Sequence, residues 1–153
     1  MNQEYVNEVN HWLRDLSPEL NLDEGGFCAL CIDGVELGLQ LTEEGSHCLL
    51  HSDLGGVDTN NPTLLRKALG ANHFEKNSPG CFVALNEARN ILEQHAFLSI
   101  AELGHQTFAN TLFNFALAVQ ERQRAFQQNN ASETEVLPLT LAQATTPGFI
   151  NFA

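Results

Sequence analysis

Among the residue types able to do chemistry, this sequence holds four cysteines and six histidines, and two groups of them stand at suggestive spacing. Cys28-Ala29-Leu30-Cys31 is followed by Cys48-Leu49-Leu50-His51, a CxxC and a CxxH that together would supply the ligands of a structural zinc site. The backbone these residues imply argues the other way. A zinc knuckle needs a tight turn between paired ligands, and both segments carry strand-type residues with no Gly or Pro between the ligands. On a strand, positions i and i+3 face opposite sides, so neither pair converges on one ion. A redox role fails on position, because a reactive CxxC sits at a helix N-terminus whose dipole lowers the thiol pKa. Nothing after Cys31 reads as helix. Small thiols packed in a core are the better account of the cysteines, and the expectation is neither metal nor cofactor.

The remaining candidates are no more productive. His11, His47, His51, His73, His95 and His105 form no HExxH and no nucleophile–base pair. Ser52-Asp53 lacks the strand–turn–helix elbow of a GxSxG nucleophile, and Gly55-Gly56 does not lead into the Lys-Ser/Thr of a phosphate loop. No two carboxylates are paired on an expected apolar wall, as a raised-pKa general acid requires. The residues yield no catalyst. A small zinc or thiol protein using Cys28, Cys31, Cys48 and His51 stays as the lesser alternative.

Composition narrows the field further. The chain has 153 residues, 43% hydrophobic and 17% charged, enough for one compact domain. Nineteen acidic residues against seven basic ones leave a net charge of −12. That disfavours nucleic acid, whose affinity comes from Lys and Arg displacing counterions, and docking on anionic lipid. Apolar runs such as residues 115–119 fall far short of the roughly 20 residues of a membrane span. Glu4, Glu8, Arg14 and Asp15 interrupt the first sixteen residues, so no secretory signal is expected there, and the protein reads as cytoplasmic with reduced thiols. The charge is also uneven: residues 1–60 hold twelve acids against Arg14 alone. Such a field aids solubility and attracts a basic partner.

The elements that would position these residues can be read from periodicity. Tyr5, Val6, Val9, Trp12, Leu13 and Leu16 recur at helical steps over Gln3–Leu16, and Ser17-Pro18 stops that helix. Residues 27–53 read as a three-stranded antiparallel meander. Val35, Leu37, Leu39 and Leu41 alternate with polar or small residues, Asp33-Gly34 is a hairpin turn, and Glu44-Gly45 is a second. The first strand of the meander is apolar on both faces, which predicts a central or doubly covered position. Asn61-Pro62 caps and opens a second helix with Leu64, Leu65, Ala68 and Leu69 as its apolar face.

Two more strands follow at 81–85 and 90–98, with a turn near Glu87. Ser99 and Glu102 form a capping-box pattern, stapled by Leu98 and Leu103, at the start of a long helix reaching Phe126. Phe113 and Leu117 widen its apolar stripe beyond one packing surface. The sum is a single α+β domain over residues 1–126 in the order α-β-β-β-α-β-β-α, with three helices on an antiparallel twisted sheet. Residues 127–153, rich in Gln, Asn, Ser, Thr and Pro, read as a mobile tail. Its apolar pieces at 136–141 and 149–152 would alternatively dock on the body or on a partner. Three helices leave some apolar surface uncovered, which in an acidic protein points to a dimer interface or a peptide groove.

This order of elements resembles the class I type III secretion chaperones of the Tir-chaperone type. The likeness spans roughly residues 1–126 and rests on the amphipathic first helix and residues 28–32 running into Asp33. It continues through Asp58-Thr59-Asn60-Asn61-Pro62, Leu69-Gly70-Ala71-Asn72, the strand at 80–85 and the long last helix. It implies a homodimeric, ATP-independent chaperone of the bacterial cytoplasm. Such a protein holds the N-terminal region of one or a few effectors in extended form and helps present it to the export ATPase. Carried onto this chain, the family pattern implies a dimer interface of Leu64, Leu65, Ala68, Leu69, Phe82 and Val83. Effector-binding grooves would involve Val6, Val9, Trp12, Leu13, Leu30 and Ile32. An acidic dimer of the same fold without a secretion role is the alternative, since fold does not fix function.

Overall fold

A computed structural model describes residues 2–58, 62–73 and 80–132 of the chain. Helix α1 (Gln3–Leu16) starts where the Asn2 side chain accepts the Glu4 N–H at 3.0 Å. It ends where Ser17 turns extended while still donating its N–H to the Leu13 carbonyl. Strands β1 (Phe27–Ile32), β2 (Val35–Leu41) and β3 (His47–Gly56) form the expected meander. Its first turn places Asp33 at φ 48° and Gly34 at φ 80°, the left-handed pair that a two-residue hairpin demands. Helix α2 (Pro62–Gly70), strands β4 (Cys81–Asn86) and β5 (Ile91–Ser99), and helix α3 (His105–Ser132) complete the α+β order.

The sheet is antiparallel throughout, in the order β1-β2-β3-β5-β4. Val9, Trp12 and Leu13 of α1, Leu64 and Ala68 of α2, and Phe108, Leu112, Phe115 and Val119 of α3 join one core with the inward residues of the strands. Burial of a side chain of this size contributes about 1.5–3 kcal/mol, so this cluster carries the fold. A polar seam runs through it. The buried Arg122 donates to Gln94 Oε1 at 3.1 Å and to the Ala71 carbonyl at 3.4 Å, tying α3 to β5 and to the end of α2.

Three details depart from the sequence reading. Among the described residues strand β1 is an edge, paired with β2 alone, and not a central strand. Cys28, Leu30 and Ile32 face the helices, while Ala29 and Cys31 are exposed; small apolar residues score as hydrophobic yet cost little in water. The capping box does not form. Ser99 still pairs with His47 as the last residue of β5, and Ile100 donates its N–H to the Ser46 carbonyl. A single 3-10 turn (Ile100–Glu102) intervenes, and α3 begins only after Gly104. Finally, α3 continues past Phe126 to Ser132, through the opening of the expected tail. The expected Asn61 cap and the rest of the tail lie outside the described residues.

Candidate functional site

The first surface feature is a groove of about 380 Å³ at the free edge of the sheet. Leu16 and Leu20 follow from α1, Leu30 and Ile32 come from β1, and Phe113 leans in from α3. The alternation of β1 sends Leu30 and Ile32 to the helix side, so they form the groove wall while being only 7% and 8% exposed. Because among the described residues β1 has a strand neighbour on one side only, its other edge offers main-chain donors and acceptors beside an apolar channel. Ser17, Glu19, Cys31 and Asp33 make the rim partly polar.

The residues expected to bind an extended partner separate here. Leu30 and Ile32 line the groove and Val6 is half-buried on α1. Val9, Trp12 and Leu13 are buried at 0%, 4% and 0%, and the Trp12 ring packs on Phe108 with centroids 5.1 Å apart. In the described chain these three have no surface to offer a bound segment. The amphipathic stripe of α1 marked the inward face correctly, but periodicity cannot say whether that face meets the chain's own core or a partner. Leu20 escaped the sequence reading because it follows the helix stop. Phe113 was visible there only as excess width of the α3 stripe.

The second feature is the sheet face turned away from the helices. Strand register aligns Ala29, Gly38, His51, His95 and Phe82 in one row across all five strands. The His51 ring lies over Gly38, where any Cβ would collide with it, which explains a glycine in mid-strand. His51 stacks between Phe27 and His95, and Phe82 stacks on both His95 and Phe97. Below the row, Arg89 holds Asp53 at 2.6 Å and Glu93 at 3.4 Å, and Glu93 lies 3.2 Å from His95 Nε2. Burial pushes the His95 imidazole below its ordinary pKa, against the upward pull of Glu93, and His51 adds to the lowering.

The expected dimer residues also divide. Leu64, Ala68 and Val83 are buried at 4%, 5% and 6%, and Val83 is further held by Asn72, whose amide both donates to and accepts from its backbone. Leu65 and Phe82 are half-buried, whereas Leu69 is 72% exposed. On a helix, Leu64 and Ala68 share the inward face, and Leu65 and Leu69 share the neighbouring outward one.

The cysteines fall on different faces of the sheet. Cys28 and Cys48 point into the core and Cys31 points out, as strand alternation requires. Burial pushes Cys48 up to about 12 and raises Cys28, with the nearby Asp23 charge adding a smaller push and an Asn21 backbone hydrogen bond opposing it. The Cys81 thiol is also raised by burial, opposed by the charge of Arg122 and a hydrogen bond with Gln94. Among the described residues no three His, Cys, Asp or Glu side chains gather as a metal site. None of the described helices is long and apolar enough to cross a membrane.

Comparison with known proteins gives the arrangement a context. No curated protein matches the chain in sequence. In structure, it is similar to a chain of the ExsC–ExsE complex, at 26% identity and TM-score 0.67, covering 78% of this chain and 93% of that one. It is similar also to a chain of the Yersinia pestis type III secretion chaperone SycH bound to a fragment of YscM2. There the identity is 18% and the TM-score 0.60, with 76% and 98% covered. The fold extends to YbjN from E. coli, for which a role in transcription regulation has been suggested, at 19% identity and TM-score 0.53 over 83% and 92%. A family model separates these possibilities where fold likeness does not. Residues 9–123 match it, from the middle of α1 to about two thirds of the way along α3, and the chain belongs to the Tir chaperone protein (CesT) family.

Proposed function

We propose that this protein is an ATP-independent chaperone that binds the N-terminal region of a type III secretion effector in extended form and keeps it soluble and secretion-competent. It acts as a homodimer in the bacterial cytoplasm, hands its client towards the export ATPase, and carries no catalytic activity of its own. The observation that carries the reading is the free β1 edge beside the groove of Leu16, Leu20, Leu30, Ile32 and Phe113, in a chain of the Tir chaperone family. A client strand laid along β1 pairs its backbone with the sheet and sends alternate side chains into the groove. Ordering a flexible client costs several kcal/mol, about 2–5, which a long apolar contact offsets.

Co-purification from the native bacterium, followed by mass spectrometry and light scattering, tests this directly. The expected particle holds two copies of this chain and one larger protein bound through its N-terminal region. A bare protein with no polypeptide partner would overturn the reading. Phe113 is 47% exposed, so Phe113→Asp should leave the melting temperature unchanged. It should weaken client binding roughly 10- to 100-fold, the equivalent of losing one buried aromatic contact.

The acidic bias of residues 1–60 supports a client segment that is basic or neutral. Its association rate is then expected to fall as salt rises from about 0.05 to about 0.5 M, as screening of a steering field requires. A salt-independent rate measured by stopped flow would remove the electrostatic part of the proposal.

A further inference from the structure

The sheet has two sides at which a further strand could add, and the two are finished differently. Among the described residues β4 pairs with β5 alone, so its outer side, like that of β1, is a strand edge. In an antiparallel pair, alternate residues turn both N–H and C=O towards the neighbour, and the residues between them turn both away. On β4 the residues turned away are Cys81, Val83 and Leu85, because the Val83 N–H and C=O both meet Asn72, outside the sheet. On β1 they are Phe27, Ala29 and Cys31, because the Phe27 N–H and C=O both meet Asp23.

At Val83 the outward groups are taken. Asn72 Oδ1 accepts the Val83 N–H at 2.6 Å, and Asn72 Nδ2 donates to the Val83 carbonyl at 3.0 Å. A side-chain amide carries a donor and an acceptor together, so these two bonds are the ones a neighbouring strand would make. The amide is also held from behind. The Asn72 N–H donates to the Leu69 carbonyl at 3.1 Å, closing the turn that follows α2, and the Ala71 carbonyl accepts from Arg122 at 3.4 Å. Arg122 donates as well to Gln94, the residue opposite Val83 across the β4–β5 ladder. Val83 is thus bracketed by a strand partner on one side and a fixed amide on the other.

Position along each strand decides what its edge can still do. Val83 stands in the middle of β4, so the outward sites left are Cys81 and Leu85, about 13 Å apart at roughly 3.3 Å per residue. An incoming strand finds no two consecutive sites there. On β1 the corresponding bonds, Asp23 N–H to the Phe27 carbonyl and Phe27 N–H to Asp23 Oδ1, both 2.8 Å, fall on the first residue of the strand. Ala29 and Cys31, both exposed, remain as two consecutive outward sites; among the described residues the Cys28 thiol, 3.7 Å from the Ala29 carbonyl, approaches them. We propose that Asn72 is a specificity-determining residue whose amide closes β4 to strand pairing. That an added strand is thereby left with β1 rests on the client-binding reading; the closure of β4 does not.

Full-length Asn72→Ala and Asn72→Asp variants would be compared with the unaltered protein by light scattering from about 5 to about 500 µM, with circular dichroism and hydrogen exchange in parallel. Alanine places no polar atom at Val83, so the β4 edges of two copies can pair. The particle mass should then rise about twofold above that of the unaltered protein at the top of the range. Exchange of the Val83 N–H should be fast in dilute solution and slow again where the mass rises. Aspartate loses the same donor, but a two-fold pairing would set its charge against its own copy, so this variant should keep the mass of the unaltered protein. An alanine variant that keeps that mass throughout would overturn the proposal. Unfolding of the alanine variant would also overturn it, leaving Asn72 as an anchor of α2 alone. Association of both variants would overturn it as well, assigning the effect to a loosened α2. No effector enters the experiment, so its outcome is independent of the client-binding reading.

Discussion

Trp12→Ala is expected to lower the stability of the protein by about 3–5 kcal/mol, measured by denaturant unfolding. The indole is 4% exposed, sits between Val9 and Leu13 on the inward side of α1, and packs on Phe108 of α3. Truncation there leaves a void at the junction of two helices that only partly relaxes, so the transfer and cavity costs add. A role in the effector groove gives the opposite pattern, with unchanged stability and weaker client binding. A loss of less than about 1 kcal/mol, together with a binding defect, would return Trp12 to the groove. For a domain of ordinary stability, about 5–15 kcal/mol, the expected loss brings the variant close to unfolding.

Leu69→Asp is expected to turn the proposed dimer into a folded monomer. Leu69 stands 72% exposed on α2, beside half-buried Leu65 and away from the inward pair Leu64 and Ala68. In a two-fold dimer one substitution acts twice, because each copy presents the same patch. Losing two leucine contacts, about 1.5–3 kcal/mol each, weakens association roughly 10²- to 10⁴-fold before the desolvation of two carboxylates is counted. Light scattering should then give the 16.9 kDa mass of one chain with an unaltered circular dichroism spectrum. A variant that stays dimeric removes this face of α2 from the interface. Leu64→Asp serves as the contrast: Leu64 is 4% exposed, so a charge there should unfold the chain before it tests any interface.

These two residues show where reading the sequence stops. Trp12 and Leu69 were both visible as large apolar residues on an amphipathic helix face, and both were assigned to binding. The structure sends one into the core and leaves the other in water. Apolar spacing shows which way a helix face points relative to its own axis. It does not show whether the chain has enough other surface to cover that face. The aromatic row on the outer sheet face was hidden for a related reason. His51 and His95 are neighbours only because β3 pairs with β5, across an intervening helix and strand. Phe27 joins them from the other end of the meander.

The sequence by itself determined the local elements and the family. Helix α1 carries its own cap, stripe and stop, and the Asp33-Gly34 hairpin needs only two residues with left-handed backbone. The β2 alternation puts Val35, Leu37, Leu39 and Leu41 on the core face. Each of these signals is complete within a few residues, where backbone sterics and side-chain period act directly. Strand alternation alone also drives Cys28 and Cys31 to opposite faces. Tertiary structure decided the rest. It put β1 at the sheet edge, merged Val9, Trp12 and Leu13 into the core, and left Phe97, Phe113 and Leu117 uncovered. It replaced the expected capping box with an extra residue of strand pairing. Edge position, burial and exposure depend on which distant segments compete for the same apolar surface, and that competition is resolved only when the whole chain packs.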